Sequence, residues 1–127
     1  MLMLVRGRAA RLSELQLETP SPIQRRAFQP VIEGRDVIAK SPTGTGKTLA
    51  YCLPVVERLL HLPLRGRAPT RPAWLVLVPT RELAQQVVKE LRALAGKQLR
   101  TMLAVGGVAM DPQIEALQRG VDVVVAS

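Results

Sequence analysis

The chain has 127 residues, a net charge of +8 and a composition that is 47% apolar. This length predicts one domain with a real core, and aliphatic side chains must fill that core because Phe, Tyr and Trp occur once each. Charges or prolines interrupt every apolar stretch, so we expect no membrane span. Arg6 and Arg8 follow the apolar start, which is the wrong order for a secretory signal. The single cysteine, Cys52, forms no internal disulfide and predicts a cytoplasmic protein.

The excess of positive charge predicts an acidic partner. A nucleotide is too small to need this much charge, whereas the phosphate backbone of a nucleic acid would use it. The alternative is that scattered arginines keep an aliphatic domain soluble. Charge alone favours nucleic acid.

The first predicted elements are two helices. Residues 8–17 have loosely helical apolar spacing, and a second helix begins where Ser21 is a good N-cap and Pro22 suits the first helical position. Gly34 ends that helix. Gln24 would complete a capping box with Ser21, or its amide would pair with N6 and N7 of adenine. The local pattern alone favours the cap.

A Gly-rich loop follows the short apolar run 37–39, which we predict to be a buried parallel strand. Residues 41–48 have the sequence Ser-Pro-Thr-Gly-Thr-Gly-Lys-Thr and lead into a segment with helical spacing. Backbone N–H groups in such a loop point at an anion, and the helix N-terminus adds partial positive charge. Lys47 would reach the β- and γ-phosphates, and Thr48 would bind Mg²⁺. Ser41 stands where this motif usually has glycine. The alternative is a turn that merely connects two elements. The pattern nevertheless predicts a nucleotide-phosphate site.

Strands and helices alternate in the rest of the chain. The helix at 49–60 is expected to kink or restart at Pro54, and a basic, proline-broken connector follows at 63–72. Beyond the connector, a long helix is predicted to be capped by Thr80 and ended by Gly96. A short helix is predicted at 112–117, and the predicted strands lie at 74–78, 100–105 and 121–126.

This alternation predicts an α/β fold, with an open parallel sheet flanked by helices. Ligands of such sheets bind at the carboxyl ends of the strands. We expect the last strand to lie at an edge of the sheet and its apolar edge to favour self-association.

Four segments together resemble DEAD-box RNA helicases, in order and spacing across nearly the whole chain. They look like the Q motif at 19–24, motif I at 39–48, motif Ia at 79–84 and the GG element at 106–107. The resemblance implies a RecA-like P-loop NTPase fold. Residues 1–127 would form a partial N-terminal ATP-binding domain, and residues 1–34 would carry the Q-motif region.

The resemblance also implies ATP, Mg²⁺ and RNA as ligands. Gln24 would read adenine, Lys47 would be catalytic, and Thr48 would bind the metal. The phosphate-binding residues would be Ser41, Pro42, Thr43, Gly44, Thr45, Gly46, Lys47 and Thr48. Sequence-independent contacts to the RNA sugar-phosphate backbone would come from Thr80, Arg81, Gly106 and Gly107. Local patterns alone make Thr80 a helix cap and Arg81 a solvated charge.

The sequence departs from the family pattern in two further places. Gln16 stands where the Q motif usually has glycine, and the sequence reaches Ser127 before the Thr-Pro-Gly-Arg and Asp-Glu-Ala-Asp segments of the family. Asp122 precedes its apolar run and therefore does not replace that acidic pair. We expect an incomplete domain that binds ATP without turnover, and a second RecA-like domain with the arginine finger in the full-length protein. The alternatives are a non-catalytic RNA-binding fragment or another P-loop NTPase, either a DNA helicase or a nucleotide kinase.

Overall fold

The computed structural model describes residues 19–61 and 71–127. Backbone contacts group the chain into two compact units that meet in sequence between residues 62 and 63. Within the described ranges, no helix is long and apolar enough to cross a bilayer. The helix predicted at 8–17, the position of Gln16 and most of the connector predicted at 63–72 lie outside the described residues.

The first unit contains two helices, α1 (Pro22–Ile32) and α2 (Lys47–His61), which pack against each other. The apolar faces of both helices are buried, at Ala27, Phe28, Ala50, Cys52, Val56 and Leu59. Helix α1 begins after Ser21 as predicted. Gly34 follows its end with φ of +75°, and a Cβ atom added there would collide with the Arg58 guanidinium. The predicted end of the helix is therefore confirmed and has a steric reason.

Of the kink or restart predicted within α2 at Pro54, the restart is wrong. The helix is continuous over 15 residues, and Pro54 is buried inside it. Proline removes one backbone hydrogen bond, but Cys52 and Val56 on either side are fully buried. Packing of an apolar face supplies most of the stability of a helix in a protein, and here it outweighs the lost bond.

The strand predicted at residues 37–39 is also wrong. These residues have no regular secondary structure, and the Ile38 side chain is fully exposed. A strand exists only where neighbouring strands satisfy its N–H and C=O groups. Residues 37–39 belong to none of the three strands that the structure describes, and three apolar residues between Asp36 and Lys40 are too few to fix a strand alone. The phosphate loop is therefore entered from an irregular segment.

The second unit is built on a parallel sheet with β1 (Trp74–Leu77), β2 (Thr101–Ala104) and β3 (Val123–Ala126). The spatial order is β1-β3-β2, and Leu75, Val124 and Met102 are aligned across the sheet. The predicted parallel α/β sheet is confirmed.

The expectation that the last strand lies at an edge is wrong, because β3 is central and pairs on both sides. Its valines are buried on both faces, as a central parallel strand requires. Of the three strands that the structure describes, β1 and β2 lie at the edges. On β1, Leu75 and Leu77 are exposed, so the apolar edge belongs to that strand instead.

Helices α3 (Arg81–Ala95) and α4 (Met110–Arg119) accompany the sheet, and a 3-10 turn (Gly96–Gln98) follows α3. Thr80 caps α3 as predicted, since its Oγ1 accepts a hydrogen bond of 3.2 Å from the Leu83 N–H. Gly96 ends α3 with φ of +57°. Helix α4 begins two residues before the predicted start. Its side chains pack on one face of β2 and β3, in a cluster of Met102, Val121, Val124, Ala116 and Leu117.

The amino ends of the three strands are joined through Asp122. Its Oδ2 accepts hydrogen bonds from Arg100 N (2.8 Å) and Nε (3.1 Å), and its Oδ1 accepts one from Arg100 Nη2 (3.1 Å). These hydrogen bonds raise the pKa of the Arg100 guanidinium above its usual value. The Asp122 carbonyl accepts bonds from the N–H groups of Ala73 and Trp74. Asp122 therefore has a structural role at the end of the sheet opposite to the carboxyl ends of the strands.

Candidate functional site

The predicted phosphate loop turns directly into α2, whose first residue is Lys47. Gly44 and Gly46 have φ angles of +76° and +83°. Residues with side chains rarely adopt this left-handed conformation, so both positions require glycine. Thr43 and Gly44 are exposed at the tip of the loop. The segment is therefore a tight, accessible turn at the N-terminus of a helix of 15 residues.

Hydroxyl groups hold this loop together. The Thr45 hydroxyl donates to the Pro42 carbonyl at 2.8 Å, and its oxygen lies 2.7 Å from Ser41 Oγ. Since the one hydroxyl hydrogen of Thr45 is used on Pro42, the Ser41 hydroxyl is the donor to Thr45. Ser41, which replaces the usual glycine, thus adds a bond across the loop.

The Lys47 side chain folds back over the loop. Its Nζ donates to the carbonyl oxygens of Ser41 at 2.7 Å and Pro42 at 3.2 Å, and the residue is exposed. An ammonium group has three donors and binds anionic oxygens more strongly than carbonyls. The Lys47 ammonium is therefore accessible to solvent and lies against the loop that is predicted to bind phosphate.

Gln24 is buried and bonds to both α1 and the loop. Its Oε1 accepts from the Ser21 N–H at 2.9 Å, which confirms its predicted capping contact. Its Nε2 donates to the Gly46 carbonyl at 3.2 Å. A Cβ atom added at Gly46 would collide with the same Nε2 atom. The structure thus brings together two of the predicted nucleotide-binding segments, although adenine reading by Gln24 stays a prediction.

Thr48 is the second residue of α2 and is half-buried. Within residues 19–61 and 71–127, no group of three His, Cys, Asp or Glu side chains could hold a metal ion. Mg²⁺ keeps several waters and is commonly bound by one or two protein groups together with substrate phosphates. A single hydroxyl at Thr48 fits this type of site, with phosphate and water oxygens as the remaining ligands.

The second unit brings the predicted RNA-contacting residues to one end of its sheet. Thr80 and Arg81 follow β1, whereas Gly106 and Gly107 follow β2, and carboxyl ends of parallel strands share an edge. Gly107 has φ of +75°, and a Cβ atom there would lie 2.8 Å from Arg81 Nη2. The Arg81 guanidinium therefore lies against the Gly107 backbone. Both residues and Gly106 are exposed, while Thr80 also caps α3.

Sequence reasoning missed two contacts of these sites. The first joins Gln24 to Gly46, 22 residues along the chain. The second places the Gln113 amide, in the first turns of α4, near the carbonyls of the loop that carries Gly106 and Gly107. The sequence signal for the second was a glutamine shortly after the Gly-Gly pair, but a polar residue near the start of a helix is too common to indicate a loop contact by itself.

A parallel sheet with flanking helices, in a chain that also has a Gly-Lys-Thr loop at a helix start, is typical of P-loop NTPases. The DEAD/DEAH box helicase family model matches residues 21–127. The chain belongs to the DEAD/DEAH box helicase family. Membership favours the helicase interpretation over that of a nucleotide kinase.

Three comparisons illustrate this relationship. The chain is 50% identical over 111 residues to DEAD-box ATP-dependent RNA helicase 3B, chloroplastic, of Zea mays, which covers 84% of this chain and 14% of the relative. A hypothetical ATP-dependent RNA helicase from Sulfolobus tokodaii superposes with a TM-score of 0.78 at 26% identity, covering 100% of this chain and 34% of that one. The yeast DEAD-box splicing factor Prp28 superposes with a TM-score of 0.78 at 31% identity. This match covers 91% of this chain and 28% of Prp28. This chain therefore spans only a small part of the length of its relatives.

Proposed function

We propose that this chain is the ATP-binding part of an ATP-dependent RNA helicase. In the full-length protein, ATP hydrolysis would be coupled to RNA binding and local unwinding of duplexes, with a second RecA-like domain as partner. Family membership supports this proposal. The observation that carries it is the hydrogen bond from the Gln24 amide to Gly46, because it joins a group suited to read a base to a loop suited to hold phosphates.

The phosphates of ATP would bind over the loop of residues 41–48. The Lys47 ammonium now bonds to two carbonyls, and a phosphate oxygen is a stronger acceptor that would draw it away from them. The N-terminus of α2 adds favourable partial positive charge. Bound Mg²⁺ would neutralise charge on the phosphates, and the Thr48 hydroxyl would supply one of its ligands.

The Gln24 amide keeps the capacity to pair with adenine. Its oxygen has two lone pairs and its nitrogen two hydrogens, and the contacts to Ser21 and Gly46 use one of each. The remaining lone pair and hydrogen match the N6 donor and N7 acceptor of adenine. Guanine has an oxygen at position 6, which would face the amide oxygen. This site is therefore expected to prefer ATP.

We expect the chain to bind ATP more tightly than GTP, and Gln24→Ala to reduce that ratio by about tenfold, since a bidentate contact is worth about 1–3 kcal/mol of discrimination. The ratio is the measurement, obtained by titration with both fluorescent nucleotides, because general damage to the loop weakens both equally. Gln29→Ala is the matched control, since Gln29 is exposed on the same helix and bonds to Glu33. Equal binding of ATP and GTP by the unmutated chain would count against adenine reading.

We further propose that these residues bind ATP without hydrolysing it. Phosphoryl transfer to water needs a metal-binding carboxylate and a group that positions the water. Among residues 19–61 and 71–127, no group of three His, Cys, Asp or Glu side chains is placed to hold a metal ion. The rate of phosphate release, with and without RNA, is therefore expected to equal that of a Lys47→Ala preparation. That preparation measures the background from contaminating ATPases. Turnover above that background would refute the proposal.

The proposed RNA contacts lie at Thr80, Arg81, Gly106 and Gly107. The Arg81 guanidinium supplies charge for a phosphate, and glycines allow an RNA backbone to approach closely. The position of Arg81 beside Gly107 supports this assignment. These contacts are with the sugar-phosphate backbone and are therefore independent of base sequence.

A further inference from the structure

The loop between β2 and α4 is held by one side chain. The Gln113 Nε2 atom lies 3.4 Å from the Val105 carbonyl oxygen, 3.3 Å from that of Val108 and 3.2 Å from that of Ala109. Residues 106–110 are exposed, so burial does not fix the conformation of this loop. A donor that reaches carbonyls on both sides of Gly106 and Gly107 restrains that conformation.

The orientation of the Gln113 amide follows from these neighbours. The opposite orientation would place its oxygen against three carbonyl oxygens, which repel it. With the nitrogen in that position, two hydrogens are shared among three acceptors. The carbonyl of Ala109 belongs to the N-cap residue of α4, whereas those of Val105 and Val108 lie in the chain before the helix. The side chain therefore does more than support its own helix.

We propose that Gln113 is a positioning residue for RNA binding, which holds the Gly107 backbone beside the Arg81 guanidinium. This proposal rests on the proposed RNA contacts of Arg81 and Gly107. Gly107 adopts a left-handed conformation with φ of +75°, and its missing Cβ leaves the space that Arg81 Nη2 approaches. Gln113 contacts the carbonyls of the residues on both sides of the Gly-Gly pair, and thereby selects the conformation in which arginine and backbone present a joint surface to a phosphate.

The test uses Gln113→Leu, which keeps similar size but donates no hydrogen bond. Gln118→Leu is the matched control, because Gln118 is exposed on the same helix. Affinity for fluorescein-labelled oligouridylate is measured over a series of salt concentrations. Gln113→Leu is expected to weaken binding about fivefold, as for one lost hydrogen bond. It should also reduce the slope of log K against log[salt] by about 0.7, as for one lost phosphate contact. Gln118→Leu should change neither quantity.

A double variant separates positioning from a merely structural role. In an Arg81→Ala background, Gln113→Leu should cause no further loss, because the two residues act on the same contact. Additive losses, or an unchanged salt slope in Gln113→Leu, would overturn the positioning role while leaving RNA binding intact. If neither Arg81→Ala nor Gln113→Leu changes affinity, or if the unmutated chain does not bind the RNA, the proposed RNA interface itself fails. Should Gln113→Leu not fold, Gln113→Asn, which shortens the reach of the amide, takes its place with the same expected results.

Discussion

Lys47→Ala is expected to weaken ATP binding by about 10- to 100-fold. A hydrogen bond between charged groups contributes about 1.5–3 kcal/mol, and the alanine variant loses the only ammonium at the start of α2. Lys47→Ala also removes the two hydrogen bonds from Nζ to the loop carbonyls, but the bonds that the Ser41 and Thr45 hydroxyls make across the loop remain and should keep its shape. The measurement is the dissociation constant of a fluorescent ATP analogue.

Lys97→Ala is the control for Lys47→Ala, since it removes the same charge from an exposed position in the 3-10 turn after α3. It should leave ATP affinity unchanged. If Lys47→Ala binds ATP as tightly as the unmutated chain, the assignment of residues 41–48 as a phosphate loop is wrong.

Gly46→Ala is expected to have the second large effect, on both stability and ATP binding. The new methyl group would displace the Gln24 amide, and the left-handed backbone adds about 1–2 kcal/mol of strain. Together with the lost hydrogen bonds of Gln24, the free energy of unfolding should fall by about 2–4 kcal/mol. Urea unfolding followed by circular dichroism measures this, because the single tryptophan, Trp74, lies in the other unit.

Gly44→Ala is the matched variant for Gly46→Ala. It has the same type of backbone strain, with φ of +76°, but nothing lies within 4 Å of an added Cβ atom. Gly44→Ala should therefore lower the free energy of unfolding by only about 1–2 kcal/mol, which is the backbone strain alone. Equal destabilisation by the two variants would show that the contact between Gln24 and Gly46 contributes nothing to the first unit.

Helix boundaries were predictable because their signals are local. Ser21 and Pro22 start α1, Thr80 caps α3, and Gly96 ends it, each through contacts within a few residues. The phosphate loop was recognisable for the same reason, since its glycines and Lys47 are consecutive in the chain.

Features that depend on distant partners were not predictable. The run at 37–39 has the composition of a strand, but a strand forms only with a neighbour. The central place of β3 is fixed by its pairing with both β1 and β2, which no local pattern encodes. In the candidate sites, the bond from Gln24 to Gly46 likewise required knowledge of how α1 and α2 pack. The pattern did predict that both belong to a nucleotide site, through resemblance to the family.

The order β1-β3-β2 has a consequence for synthesis on the ribosome. Among the strands of residues 19–61 and 71–127, β1 and β2 pair only with β3, which is translated after both of them. At about 5–20 residues per second, roughly 2 to 9 seconds pass between the emergence of β1 and that of β3. During that interval the nascent β1 and β2 have no partner in this sheet for their backbone groups. The valines of Val123–Ala126 therefore join β1 to β2 in one late step, and the apolar side chains of β1 and β2 stay unpaired in this sheet until then.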